Sequence, residues 1–223
     1  HQRRPAVIRD RVDLRASLNQ ALDRRFRSGG GGFSQWRAAG AIACIGIGAR
    51  DGKRVNHADT GLVEFNGRPL ITHVIDALKN QVDDIIISAN RNLDLYQQFS
   101  PIVIPDDTEK HGPLSGIAAA LPACKHKQVL IVPCDMPYLP TNLMTTLLAD
   151  FENNDITIVE VQDRLQLVFL MRQSLLTSVH EHVSSGKYKL MQWVKSCSHS
   201  IVDCSDSSDA FKNMNSNYEL DQN

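Results

Sequence analysis

From residue 41 onward, short apolar runs alternate with helix-length segments, and this alternation restricts the chain to a fold built from β–α–β units. The runs that read as strands are 41–48, 84–89, 101–104, 129–132, 156–161, 165–171 and 199–202. A further short run over 61–65 meets Asn66-Gly67, a turn dipeptide. Helices are predicted over 69–78, 93–99, 112–123, 141–151, 174–184 and 190–196. In 69–78 the spacing puts Leu70, Val74, Ala77 and Leu78 on one face, with Pro69 near the first turn, and Thr141 is placed as an N-cap. Right-handed connections between such units give an α/β domain with a mainly parallel sheet.

In open sheets of this kind, ligands sit outside the C-terminal ends of the strands. The chain puts polar groups there. The segment 128–140, QVLIVPCDMPYLP, is a buried strand that delivers Asp135, and Pro137 and Pro140 prevent its continuation. Asn90 follows the strand over 84–89, and Asp106 follows 101–104. Each alone reads as a turn former or helix cap. Together they form one polar rim. An Asn offers a nucleobase edge its paired donor and acceptor. A carboxylate suits Mg²⁺, which prefers oxygen ligands and keeps several waters.

The chain has 223 residues, 42% hydrophobic and 22% charged, which suffices for one α/β domain with a full core. No apolar run approaches the ~20 residues of a membrane helix, and no signal-peptide core stands near the start. Five cysteines without a CxxC pair point to thiols in a reducing cytosol. His180 and His182 stand two apart on a predicted helix and share no face, which argues against a zinc site. Charge is uneven. Residues 1–37 hold nine Arg, three Asp and no Lys, a net of +6; the whole chain is −1, so 38–223 carries −7. All nine Lys lie after residue 50, and 28–32 reads SGGGG, a linker composition. The expected organisation is therefore an Arg-rich, poorly ordered extension over 1–37 and a single domain over 38–223. The three Asp and the lack of interleaved aromatics argue against nucleic-acid binding by the extension.

Several segments carry a family resemblance. They are Arg54 through Asp59, GLVEFNGRPLITHVIDAL (61–78), ISANRN (87–92), VIPDDTEKHGPLSGI (103–117) and VPCDMPYLP (132–140), with weaker matches at RLQLVFLM (164–171) and DAFKNMNSNYEL (209–220). In these the chain resembles the molybdenum cofactor guanylyltransferases, within the Rossmann-like nucleotidyltransferases. The resemblance runs from about residue 47 to 220. It implies a three-layer Rossmann-like fold. It also implies transfer of GMP from GTP to molybdopterin with release of pyrophosphate, Mg²⁺ as cofactor, and a cytoplasmic monomer. The finished cofactor would pass to insertion proteins and acceptor molybdoenzymes. Carried over by position, Asn90 and Asp106 (or its neighbour Asp107) would hold GTP, and Asp135 would hold the metal and act in catalysis. Gly112, Pro113, Leu114 and Gly116 would bring backbone close to the nucleotide, and Asn215 matches a C-terminal position near the site.

The departures fall in the first loop. The family has Leu-Ala-Gly-Gly and a basic loop ending in Asp-Lys-Gly, whose amides and Lys neutralise the triphosphate. Here Ile47-Gly48-Ala49-Arg50 stands in that place, and only Gly52 and Arg54 keep the loop's character. Asp59 is kept, but Thr60 occupies the Lys position and supplies no positive charge. Arg50, Lys53 or Arg54 are the candidates to compensate, although Arg presents a fork where Lys presents a point charge. The nucleotide set implied by the resemblance is thus Ile47, Gly48, Ala49, Gly52, Arg54, Asp59 and Thr60, together with the residues above; Thr60 takes the catalytic Lys position. The chain begins with His1 and not Met, and a sequence altered upstream of about Arg54 would produce both the Arg-only head and the changed loop. Two alternatives stay open beside the active guanylyltransferase. One is a non-catalytic or crippled nucleotide- or cofactor-binding homologue. The other is a cytidylyltransferase of the same fold.

Overall fold

The structure, a computed structural model, describes residues 39–44, 59–105 and 112–214. Its nine strands are β1 Ala39–Cys44, β2 Glu64–Phe65, β3 Arg68–Pro69, β4 Asp84–Ser88, β5 Ile102–Ile104, β6 Gln128–Pro133, β7 Ile156–Val161, β8 Arg164–Arg172 and β9 His199–Asp203. Its α-helices are α1 Leu70–Leu78, α2 Leu93–Tyr96, α3 Pro113–Ala120, α4 Leu143–Leu148, α5 Leu176–Ser184 and α6 Leu190–Val194. Seven strands form one sheet in the order β5-β4-β1-β6-β8-β7-β9, and β2 and β3 form a separate two-stranded hairpin.

The central strands read as continuous apolar runs because both faces of the sheet are covered. Successive residues alternate between faces. Ile87, Leu130, Val132, Val168 and Leu170 pack with Ile71, Val74 and Leu78 of α1 and with Leu143, Met144 and Leu147 of α4. Their neighbours Ile86, Val129, Ile131, Phe169 and Met171 pack on the other side with α3, α5 and α6. There Trp193 is fully buried, and its indole N–H donates to Ser178 Oγ at 3.1 Å, which ties α6 to α5. The result is the three-layer α/β arrangement expected, and the described residues belong to one compact unit. The boundary drawn at 37/38 lies outside the described residues.

Several local expectations need correction. The run over 61–65 is not one strand. It opens with a 3₁₀ turn, Thr60–Leu62, and only Glu64–Phe65 pair, with Arg68–Pro69 across Asn66 (φ +50°) and Gly67 (φ +73°). Left-handed angles at both central residues are what a two-residue hairpin requires, so the turn reading of Asn66-Gly67 holds. On α1 the fully buried face is Leu70, Ile71, Val74 and Leu78, while Ala77 is only half-buried. Ile71 is added because α1 serves two clusters, with Leu70 turned to Phe65 and Met214. Thr141 is no cap: α4 starts after Asn142, without a side-chain capping bond. The sheet is parallel at β1–β4, β1–β6, β4–β5 and β7–β9, but β8 runs antiparallel to both β6 and β7. Gln162 and Asp163, both at positive φ, close β7 onto β8 in a tight turn that lacks the usual glycine.

Candidate functional site

The parallel strands set the frame. Ile104, Ser88, Cys44 and Pro133 are register partners in one row across β5, β4, β1 and β6. Asn90 and Asp135 each stand two residues beyond that row, on the two strands that flank β1. The strands that lead to them, β4 and β6, lie two strand spacings apart, about 10 Å. Asn90 is exposed and Asp135 half-buried. Both residues therefore follow strand ends on the same edge of the sheet, as expected. Asp106 and Asp107 lie outside the described residues. So do Ile47, Gly48, Ala49, Gly52 and Arg54, the compensating cations Arg50 and Lys53, and Asn215.

Asp135 sits in a loop that its neighbours hold rigid. Cys134, Met136 and Leu139 are buried in the same cluster as α1 and α4. The main-chain N–H of Met214 donates to the Asp135 carbonyl at 2.8 Å, which brings the C-terminal segment against this loop one residue before Asn215. Gln81, just past α1, fixes the far end. Its amide donates to the Pro140 carbonyl at 2.9 Å, and its side-chain oxygen accepts the Met144 N–H at 2.8 Å. Tyr138, on the same loop, meets Phe65 edge-on at 5.6 Å, and His73 Nε2 donates to the Phe65 carbonyl at 2.9 Å. The β2–β3 hairpin thus braces the Asp135 loop from the side.

Asp59 precedes the 3₁₀ turn Thr60–Leu62, and its carbonyl accepts the Leu62 N–H at 2.9 Å. Its carboxylate is engaged by its own chain. Oδ1 accepts from the Tyr96 hydroxyl, and Oδ2 accepts from Asn92 Nδ2 at 3.2 Å. Tyr96 is fully buried, and burial together with the Asp59 carboxylate pushes its phenol well above the ordinary value, so it stays a donor. Thr60 is half-buried.

Gly112 precedes α3 at φ +74°, with Pro113 at the first helical position. A Cβ at Gly112 would meet nothing within 4 Å, so it is the left-handed backbone and not crowding that asks for glycine. Leu114 is fully buried in the core and Gly116 is buried. The expectation for this segment concerns its backbone, and burial of the Leu114 side chain is compatible with it. Among the thiols, Cys124, Cys197 and Cys204 are free, and burial raises all three, Cys204 to about 11. Such thiols are inert at neutral pH. No helix among the described residues is long and apolar enough to cross a membrane.

Sequence reasoning missed Gln81, Asn92 and Tyr96. Gln81 and Tyr96 carry no motif, and what each bonds to lies far along the chain, Pro140 for Gln81 and Asp59 for Tyr96. Asn92 closes the ISANRN segment, which pointed to Asn90 alone.

Three comparisons bear on this geometry. The MobA-like NTP transferase domain matches residues 46–201, more than half of the chain. A molybdenum cofactor guanylyltransferase of Shewanella putrefaciens is 37% identical over 174 residues, covering 76% of this chain and 89% of that protein. One of Polynucleobacter asymbioticus is 36% identical over 176 residues, covering 75% and 88%. Among solved structures, molybdopterin-guanine dinucleotide biosynthesis protein A of Archaeoglobus fulgidus superposes with a TM-score of 0.65 at 17% identity, covering 82% of this chain and 95% of that one. A 2-C-methyl-D-erythritol 4-phosphate cytidylyltransferase of Thermus thermophilus follows at a TM-score of 0.61 and 11% identity, covering 81% and 94%. At such identities these two likenesses speak for the fold alone.

Proposed function

The chain belongs to the MobA-like NTP transferase domain family, and from that membership we propose that it transfers GMP from GTP to the phosphate of molybdopterin. The observation that carries this reading is the register row that sets Asn90 and Asp135 two residues beyond the strand ends on either side of β1. A base-reading amide after β4 and a phosphate-side carboxylate after β6 would bracket a nucleotide laid across β1.

In the reaction, an oxygen of the molybdopterin phosphate attacks the α-phosphorus of GTP. The bond from that phosphorus to the bridging oxygen of the β-phosphate breaks, and pyrophosphate leaves in line. Such chemistry needs positioning and charge neutralisation more than covalent help. Asn90 orients guanine through its amide, and Asp106 or Asp107 takes the second polar contact to GTP. Gly112 and the start of α3 bring backbone to the nucleotide. Asp135 is held still by Cys134, Met136 and the Met214 bond, so its carboxylate costs little to position. Asp135, half-buried after β6, would hold Mg²⁺ through its carboxylate, the hard oxygen donor that ion prefers. When bound, the ion would neutralise charge on the phosphates. Thr60 stands at the phosphate side with a hydroxyl and no charge, so the cation there must come from the loop over 45–58 or from the metal. The finished cofactor would be handed from a monomeric, cytoplasmic enzyme to insertion proteins and acceptor molybdoenzymes.

Product analysis tests the reading. With GTP, Mg²⁺ and molybdopterin, mass spectrometry is expected to find one GMP added per molybdopterin, in step with pyrophosphate. A cytidylyl adduct formed in preference from mixed GTP and CTP would favour the cytidylyltransferase alternative and overturn the base assignment.

A further inference from the structure

The bonds around Asp59 join three parts of the site that are far apart in sequence. Tyr96 and Asn92 lie 37 and 33 residues from Asp59. Asn92 stands two residues after Asn90, on the segment leaving β4. Tyr96 shares its buried cluster with Ala89 at the end of β4 and with Cys134 and Met136, the two neighbours of Asp135. Asp59 itself leads into Thr60. One fully buried phenol therefore sits where the base-side, phosphate-side and metal-side segments meet.

The local chemistry makes this junction stiff. A buried hydroxyl without an acceptor loses its hydration uncompensated, so Tyr96 needs Asp59 as much as Asp59 is held by it. Asn92 adopts φ +51°, a conformation that Asn tolerates better than most residues, and from it the side-chain amide reaches Asp59 Oδ2. Helix α2, only four residues long, carries Tyr96 one turn beyond Asn92. Each carboxylate oxygen accepts one bond from the segment that follows β4, so Asp59 ties the backbone leading into Thr60 to that segment.

We propose that Tyr96 and Asn92 are positioning residues for nucleotidyl transfer: through the Asp59 carboxylate they fix Thr60 against the end of β4, so that the phosphate side of the site is set relative to the base side. This rests on the guanylyltransferase reading. Asp59 then serves as the clasp of a tether.

The test uses the full chain. Tyr96→Phe removes one hydroxyl and keeps the ring in the core. A hydrogen bond to a charged group contributes enough that kcat/KM for GTP is expected to fall about tenfold, with KM for molybdopterin unchanged. Asn92→Gly keeps the left-handed backbone and removes the amide; it is expected to act in the same direction and more weakly. Val179→Ala, in the core on the opposite face of the sheet, serves as a control of matched stability loss. The decisive readout is non-additivity. The gain in GTP use from Thr60→Lys is expected to shrink in the Tyr96→Phe background, because an untethered Lys is misplaced. A full, additive gain there, or a loss in Tyr96→Phe no greater than in the Val179→Ala control, would overturn the proposal. If Tyr96→Phe does not fold, the same cycle is run with Asn92→Gly and read the same way. Binding of a fluorescent GTP analogue is measured in parallel. It reports the tether even if the wild-type chain shows no turnover, so failure of the enzyme reading and failure of the tether are separate results.

Discussion

Asp135→Ala is expected to lower kcat by about 10²–10³-fold, the cost typical of removing one preorganised group from the transition state of such a transfer. The loss should appear in kcat and in the Mg²⁺ dependence. Main-chain position at this residue is set by the bond from Met214 to the carbonyl, which does not involve the side chain, and by the burial of Cys134 and Met136 on either side. Steady-state kinetics across a Mg²⁺ titration, alongside thermal unfolding, check this. A kcat within a few-fold of wild type would mean that another carboxylate holds the phosphate side.

Thr60→Lys is expected to move activity the other way, raising kcat/KM for GTP by about 10²-fold if the loop over 45–58 supplies no equivalent cation. Thr60 is half-buried at the start of a 3₁₀ turn whose hydrogen bonds, Leu62 N–H to Asp59 and Val63 N–H to Thr60, are all main chain. A longer side chain can therefore be accepted there without breaking the turn. A compact ammonium neutralises phosphate charge where a hydroxyl cannot. The check is initial-rate kinetics over GTP concentration at fixed molybdopterin. An unchanged rate would show that Arg50, Lys53 or Arg54 already provides the charge.

Layer order and strand identity were legible because they rest on periodicity. The runs at 129–132 and 156–161 needed only apolar β-formers to be read, and the structure places β6 and β7 there. Strand direction was less legible. Antiparallel β8 depends on the turn at Gln162-Asp163, and neither residue announces a positive φ as Gly would. Asn90 and Asp135 could be placed because each follows a strong strand directly, and position after a strand end is a local property. Tyr96 and Gln81 could not. A Tyr in a short apolar helix reads as core, and only tertiary packing brings its hydroxyl to a carboxylate 37 residues earlier. Gln81 similarly spans 59 residues to reach Pro140. The misread cap at Thr141 has the same origin: Thr is a fair cap by type, but packing of Leu143, Met144 and Leu147 decided where α4 begins.

The most direct measurement is pyrophosphate release by the unmodified chain with Mg²⁺ and molybdopterin, comparing GTP with CTP. The account predicts turnover with GTP, dependent on molybdopterin, and much slower release with CTP. A folded chain that releases pyrophosphate from neither nucleotide, or faster from CTP, would contradict it.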